Sequence, residues 1–208
     1  MKHYTMLLIG LILIGLQSRA QDARPQMLTI PSDWNSEVLN FPLDFAPELE
    51  YQGLEELRFA PGMFDTTAPD YFTYMFAMEL EGKHDFGIPQ TKKFLAGYFR
   101  GLSSAVGEGK DIVVDTSLIT VTVVRPDIKT GKHEGYFVTV NFIDTFTGGR
   151  KVTLNMEAVV LYQKDGEKTY IQALISPQPK YSATWKELYQ YRKTLMNENP
   201  VFVNLRGR

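Results

Sequence analysis

The stretch DYFTYMFAMELEG, residues 70–82, decides how the chain is read. In an extended strand, residues two apart share a face. Here both alternating sets are apolar: Phe72, Tyr74, Phe76 and Met78 on one, Tyr71, Met75 and Ala77 on the other. A strand with no polar face belongs inside a sheet that is covered on both sides. Two helices are legible as that cover. Pro89 suits the first turn of one. Phe94, Leu95, Tyr98, Phe99, Leu102, Ala105 and Val106 then fall on one face at period 3.6, which predicts a helix over residues 89–106. Gly97 and Gly101, one turn apart, leave room for close approach to the sheet. The second helix is expected over residues 184–196. Thr184-Trp185-Lys186-Glu187 fits a capping box, and Trp185, Leu188, Tyr189, Leu195 and Met196 form a buried stripe that the stem of Arg192 continues.

Strands flank these elements. FPLDFAP (41–47) is bounded by prolines and suits a sheet edge. LEELRFA (54–60), SLITVTVVR (117–125) and EGYFVTVNFIDTF (134–146) follow as strands. In residues 150–163, Val152, Leu154, Met156, Ala158 and Val160 alternate with Lys151, Thr153, Asn155 and Glu157, the pattern of a half-buried strand. TYIQALIS (169–176) completes the set. Gly148-Gly149 and Asp165-Gly166 supply hairpin turns. The order β-β-β-α-β-β-β-β-α predicts an α+β domain: a large, mostly antiparallel sheet of about six to seven strands packed by two helices. Residues 21–35 read as a polar leader, residues 36–208 as a single domain, and VFVNLRGR (201–208) as a tail or small extra strand.

The beginning of the chain predicts an export route. Lys2 and His3 precede the apolar run MLLIGLILIGL (6–16), and small Ser18 and Ala20 precede Gln21, as in a cleaved signal peptide. Eleven helical residues would span only about 16 Å, roughly half of a bilayer core. No cysteine follows the apolar run, which argues against a lipid anchor. The expected product is periplasmic or secreted, bacterial, and without a transmembrane anchor after signal cleavage. Cysteine is absent altogether, which removes thiol nucleophiles, disulfides, iron–sulfur clusters and Cys-ligated zinc. The formal charge of −2 comes without a basic block, so no nucleic-acid partner is expected.

Two turn-like stretches, GKHD (82–85) and GKHE (131–134), contain His84 and His133 beside Asp85 and Glu134. The up-and-down order of strands places both at one end of the sheet, with Asp127, Asp165 and Glu167. Two imidazoles with carboxylates form a ligand set for a divalent metal, and a metal-bound water there could hydrolyse a substrate. Solvated turns explain the same residues. No other cofactor is expected. Glu79, Glu81, Asp115, Asp144 and Glu157 are further carboxylates, and a pair of them at suitable separation could do glycosidase work. Ser103-Ser104 has no nucleophile elbow. The aromatic supply offers another site: Tyr74, Tyr98 and Tyr136 could line a pocket for an apolar or sugar ligand, or belong to a core covered on both faces.

A large antiparallel sheet with a mid-chain helix and a Trp-bearing final helix resembles the PsbP-like α/β/α sandwich in element order over roughly residues 36–196. EELRFAPGMFD (55–65) resembles exported bacterial proteins of unassigned function. Neither likeness implies site residues. A cystatin- or NTF2-like curved sheet usually begins with its helix and fits the order less well. The function expected from these features is an exported, non-enzymatic binding or accessory domain. Its partner would be another envelope protein or a small apolar ligand. The alternative is a metal-assisted hydrolase using His84, His133 and the nearby carboxylates.

Overall fold

A computed structural model describes residues 26–125, 134–163 and 166–205. Its elements are β1 (Asn35–Phe41), β2 (Gly53–Phe59), β3 (Tyr74–Glu81), α1 (Ile88–Glu108), β4 (Thr120–Val124), β5 (Glu134–Asp144), β6 (Arg150–Tyr162), β7 (Lys168–Ser176), α2 (Ala183–Glu198) and α3 (Pro200–Leu205). The strands form one sheet in the order β1-β2-β3-β7-β6-β5-β4, with every neighbouring pair antiparallel. The class is α+β, as the order of elements predicts.

β3 and β7 lie at the centre, and each is buried on both faces. The two apolar sets of β3 go to different cores. Tyr74, Phe76, Met78 and Leu80 pack with Phe94, Leu95, Tyr98 and Phe99 of α1. Met75 and Ala77 pack with Trp185, Leu188, Leu195 and Met196 of α2, Phe202 of α3, and Met27, Leu28 and Trp34. The result is three layers: α1, the sheet, and a second layer of α2, α3 and the segment before β1. That segment is held by polar contacts. Leu28 N donates to Glu56 Oε2 at 2.9 Å, and Arg58 Nη2 donates to Leu28 O at 2.6 Å.

α2 is also tied to the sheet by charge. The Arg192 guanidinium donates to Gln172 Oε1 at 2.6 Å and to Glu157 O at 2.5 Å. Glu157 accepts from Lys180 and from Tyr189 as well, at 2.8 and 2.7 Å. Burial lowers the Arg192 pKa to about 10, against the opposing pull of Glu157. Arg192 and Glu157 are partly buried, and removing one partner leaves the other charge poorly compensated beneath α2.

Several boundaries differ from the sequence expectation. The first strand is not 41–47 but Asn35–Phe41. Pro42 has no N–H to continue the ladder, and residues 43–51 turn back on themselves through Ala46 N→Leu43 O and Leu49 N→Ala46 O bonds. β3 begins only at Tyr74, because Phe72 has φ of 49° in the turn before it. Residues 116–118 form a 3₁₀ turn with Asp115 as its cap, so β4 starts at Thr120. The cap of α2 is Ser182, whose side chain accepts from Trp185 N, and not Thr184. Residues 201–205, expected as part of a tail or a small extra strand, belong to α3, with Phe202 buried.

Gly97 and Gly101 serve a different neighbour from the one expected. They face the 42–52 loop, and not the sheet. A Cβ on Gly101 would stand 2.0 Å from Phe45 O, and one on Gly97 would stand 3.2 Å from a Leu49 methyl. The loop thus lies directly on α1, and Leu43, Ala46 and Leu49 close that side of the first core. Gly101→Ala must push backbone apart. It is expected to lower stability in urea unfolding by about 1–3 kcal/mol, whereas Gly135→Ala, with nothing within 4 Å of its Cβ, should change it by about 0.5 kcal/mol or less.

Candidate functional site

The end of the sheet that carries His84 also carries Glu134, as the strand directions require. Register places Glu81 opposite Lys168, Thr169 opposite Tyr162, and Val160 opposite Glu134. But β7 and β6 lie between β3 and β5. Three strand spacings separate the two by roughly 14 Å. Each residue is also engaged locally. His84 Nε2 donates to Glu81 O at 2.6 Å, its backbone N–H donates to Thr169 Oγ1 at 2.9 Å, and its ring stands edge-on to Tyr51. Asp85 Oδ1 accepts from Gly87 N at 2.9 Å, just ahead of α1. Glu134 Oε2 accepts from Tyr136 at 2.5 Å and from Arg125 at 3.1 Å. His133, Asp127 and Asp165 lie outside the described residues. Among the described residues, no group of three His, Cys, Asp or Glu side chains is placed to hold a metal.

The three tyrosines expected to line a pocket divide into two places. Tyr136, on β5, belongs with Glu134 and Arg125. Burial, followed by its bond to Glu134, pushes its phenol up to about 12. Tyr74 and Tyr98 belong to the core beneath α1. There they meet Glu55 of β2, a residue that periodicity did not single out. Glu55 is 0% exposed. Tyr98 donates to both of its oxygens, at 3.1 and 3.3 Å. Burial first, then the nearby Glu37, pushes the Glu55 carboxyl up to about 8, against the lowering effect of the Tyr98 bond. The Tyr74 hydroxyl is buried and has no hydrogen-bond partner among the described residues. A void in this core, beside Phe76, Phe86, Phe94, Met156 and Ile171, is apolar and holds about 10 Å³. That is about the room of one water molecule, too little for an organic ligand.

Glu79, Asp115, Asp144, Glu157 and Ser103 have structural partners. Glu79 accepts from Lys168 at 2.6 Å and from Tyr170 at 2.9 Å. Asp144 is fully buried in the β5–β6 turn. It accepts from Tyr71 at 2.5 Å, from Phe146 N at 2.9 Å and from both the N–H and the hydroxyl of Thr147. Ser103 donates to Ile143 O at 2.5 Å and so ties α1 to β5.

The other open feature is a surface. On the side that α2 covers, the cover reaches β7 and the edge of β6. Beyond it, Thr120, Thr122 and Val124 of β4, Phe137, Thr139 and Asn141 of β5, and Thr153 and Asn155 of β6 line up in cross-strand rows facing outward. Asn141 bridges one row, donating to Thr120 Oγ1 at 2.9 Å and accepting from Thr153 Oγ1 at 3.1 Å. A groove of about 400 Å³ opens at that row beside Ser117, Leu118 and Lys151. At the other end Lys180 sits 3.8 Å over the exposed Phe137 ring. Sequence alternation marks these side chains as solvated; only the sheet order reveals that they form one uncovered face ending at a free strand edge.

Compared with known protein families, with curated proteins and with solved structures, the chain matches none.

Two outcomes test these placements. Asp144→Ala strands three or more donors in a buried turn and is expected to cost about 2–4 kcal/mol in chemical unfolding. Zn²⁺, Mn²⁺, Ni²⁺ or Ca²⁺ is expected to leave the thermal midpoint unchanged, in the native protein and in His84→Ala alike. A site filled at about 100 times its dissociation constant would add roughly 2.7 kcal/mol, a shift of several degrees. A rise that His84→Ala abolishes would bring the metal reading back.

Proposed function

We propose that the protein is an exported, non-enzymatic binding domain that takes an extended segment of another envelope protein along the free edge of β4. The observation that carries this reading is the character of that edge. β4 is the last strand of the sheet, and no described residue pairs with its outer side. Its sequence, TVTVV, is entirely β-branched, with no charge, proline or glycine. Sheet edges are ordinarily guarded by such residues, because unpaired backbone groups recruit a further strand. Of the charges that flank it, Arg125 is drawn back onto Glu134 and Tyr136, and Arg100 of α1 donates to Ile119 O at 3.4 Å, just before the strand. Val124 is 54% exposed beside Phe137, so a docked strand would find apolar contact as well as backbone partners. Strand addition of this kind gains affinity from main-chain bonds and selectivity from alternate side chains. The open Thr/Asn face continues the same surface inward from the edge.

A photo-crosslinking residue at Thr122 tests the reading in cells of the source organism. The expected result is one discrete adduct with an envelope protein, absent when the crosslinker is placed at Gln90 on α1. Val124→Lys, at an exposed position, should remove the adduct at least tenfold while leaving the thermal midpoint unchanged. Equal adducts at Thr122 and Gln90, or an adduct indifferent to Val124→Lys, would overturn it.

A further inference from the structure

The outward face of β4, β5 and β6 carries two rows of neutral polar side chains. Register sets Thr120, Asn141 and Thr153 in the first row, and Thr122, Thr139 and Asn155 in the second. The rows lie about 7 Å apart, and their members about 4.8 Å apart across the strands. Much of their hydrogen-bonding capacity is unspent. Asn141 gives one amide hydrogen to Thr120 and accepts from Thr153. It keeps a second N–H, Thr120 keeps its O–H, and Thr153 keeps lone pairs. Among the described residues nothing bonds the hydroxyls of Thr122 and Thr139. The groove of about 400 Å³ opens at the first row, in the size range of about 300–1,000 Å³ that takes a small ligand. Ser117 and Leu118 of the 116–118 turn wall it, and Lys151 borders it from the next row of β6. Lys151 is exposed, and no hydrogen bond or ion pair among the described residues holds its ammonium. Asp115 is near enough to feel that charge, but its Oδ1 is spent capping the turn, accepting from Ser117 N at 3.0 Å and from Ser117 Oγ at 2.6 Å.

These features select among occupants. The core of a protein interface is apolar and rich in aromatic rings, and neither row has an aliphatic or aromatic residue. A peptide laid across a sheet face, away from its edge, finds no main-chain partners. Nucleic acid calls for several cations. A sugar ring instead presents hydroxyls that both donate and accept, as threonine and asparagine side chains do. Phe137, in the row beyond the second, is 39% exposed and offers apolar surface to the C–H face of such a ring. The unheld ammonium of Lys151 adds a demand for negative charge. We infer that the groove and its two Thr/Asn rows are a saccharide site for a carboxylate-bearing polysaccharide, with Lys151 on a carboxylate and Thr120, Asn141 and Thr153 on sugar hydroxyls. The site uses side chains of the sheet face, whereas the docking edge of β4 uses its main chain, so either can exist without the other.

Amide chemical shifts of the ¹⁵N-labelled protein, followed as tetragalacturonate is added, read the site directly. Saturable shifts are expected at residues 117–122, 139–143 and 151–155. Maltotetraose, a neutral sugar of equal length, should bind there at least about tenfold more weakly, the worth of one hydrogen bond to a charged group. Lys151→Ala should bring tetragalacturonate down to the maltotetraose level, and Lys93→Ala, which removes an exposed charge from α1, should not. Asn141→Ala should weaken both sugars. All three positions are exposed, so the variants are expected to keep the native spectrum. Added salt should weaken tetragalacturonate and leave maltotetraose unchanged. Absence of saturable shifts at these amides would overturn the inference. So would tetragalacturonate binding that Lys151→Ala leaves intact, or sodium acetate reproducing the same shifts at equal carboxylate concentration, which would mark a site for a bare anion.

Discussion

The sheet must be covered twice, because its two central strands have no face that can meet water. β3 presents phenyl, methionine and leucine side chains to one side and Met75 and Ala77 to the other. Each large apolar side chain gains about 1.5–3 kcal/mol by full burial. That gain is available only if helices arrive on both sides. α1 does so between β3 and β4 in the chain, and α2 with α3 after β7. The polar residues on β7 follow the same constraint. Gln172 accepts from Arg192, Ser176 shares a bond with Thr73, and Thr169 donates to Gly82 O. None of these could be left open between two layers.

Coverage is unequal, and chemistry changes where it ends. α1 reaches from the 42–52 loop to Ser103 against β5, so β4 and β5 still bury valines on its side. On the opposite side α2 stops at β6, and the side chains there become Thr, Asn and Lys within one strand. The same boundary leaves β4 as a bare edge. Glu55 belongs to the other side, at the opposite end of the sheet order, where a carboxyl has been enclosed by tyrosines and a loop. The proposed docking edge and the buried Glu55 thus lie on strands far apart in the sheet order, both beneath α1.

Much of the architecture could be read from alternation. The double-sided pattern of residues 74–81 marked a sheet interior, and the period of residues 94–106 marked the helix above it. β1 was misplaced because NSEVLNF has little apolar contrast at an exposed edge, whereas the proline-bounded FPLDFAP looked more strand-like. Ser182 and not Thr184 caps α2, because it is the Ser182 side chain that reaches the Trp185 N–H, and only that geometry separates the two. Strand direction correctly brought the His84 and Glu134 turns to one end, but pairing order decides lateral distance, and sequence does not contain it in any local signal. Glu55 was invisible for a similar reason. It sits beside Glu56, and only the pleat tells that one carboxyl enters the core under α1 while the other holds Leu28.

The second core has a consequence for the timing of folding. Asn199, near the end of the described chain, donates to Gln26 O and Met27 O, 173 and 172 residues away. β3 likewise waits for β7, about ninety residues downstream. Contacts of such separation form slowly and late. A chain still being synthesised can assemble β1, β2 and β3, but it cannot seal them until β7, α2 and α3 have emerged. Until then the nascent protein has no closed interior, and its exposed apolar surface is what chaperones hold.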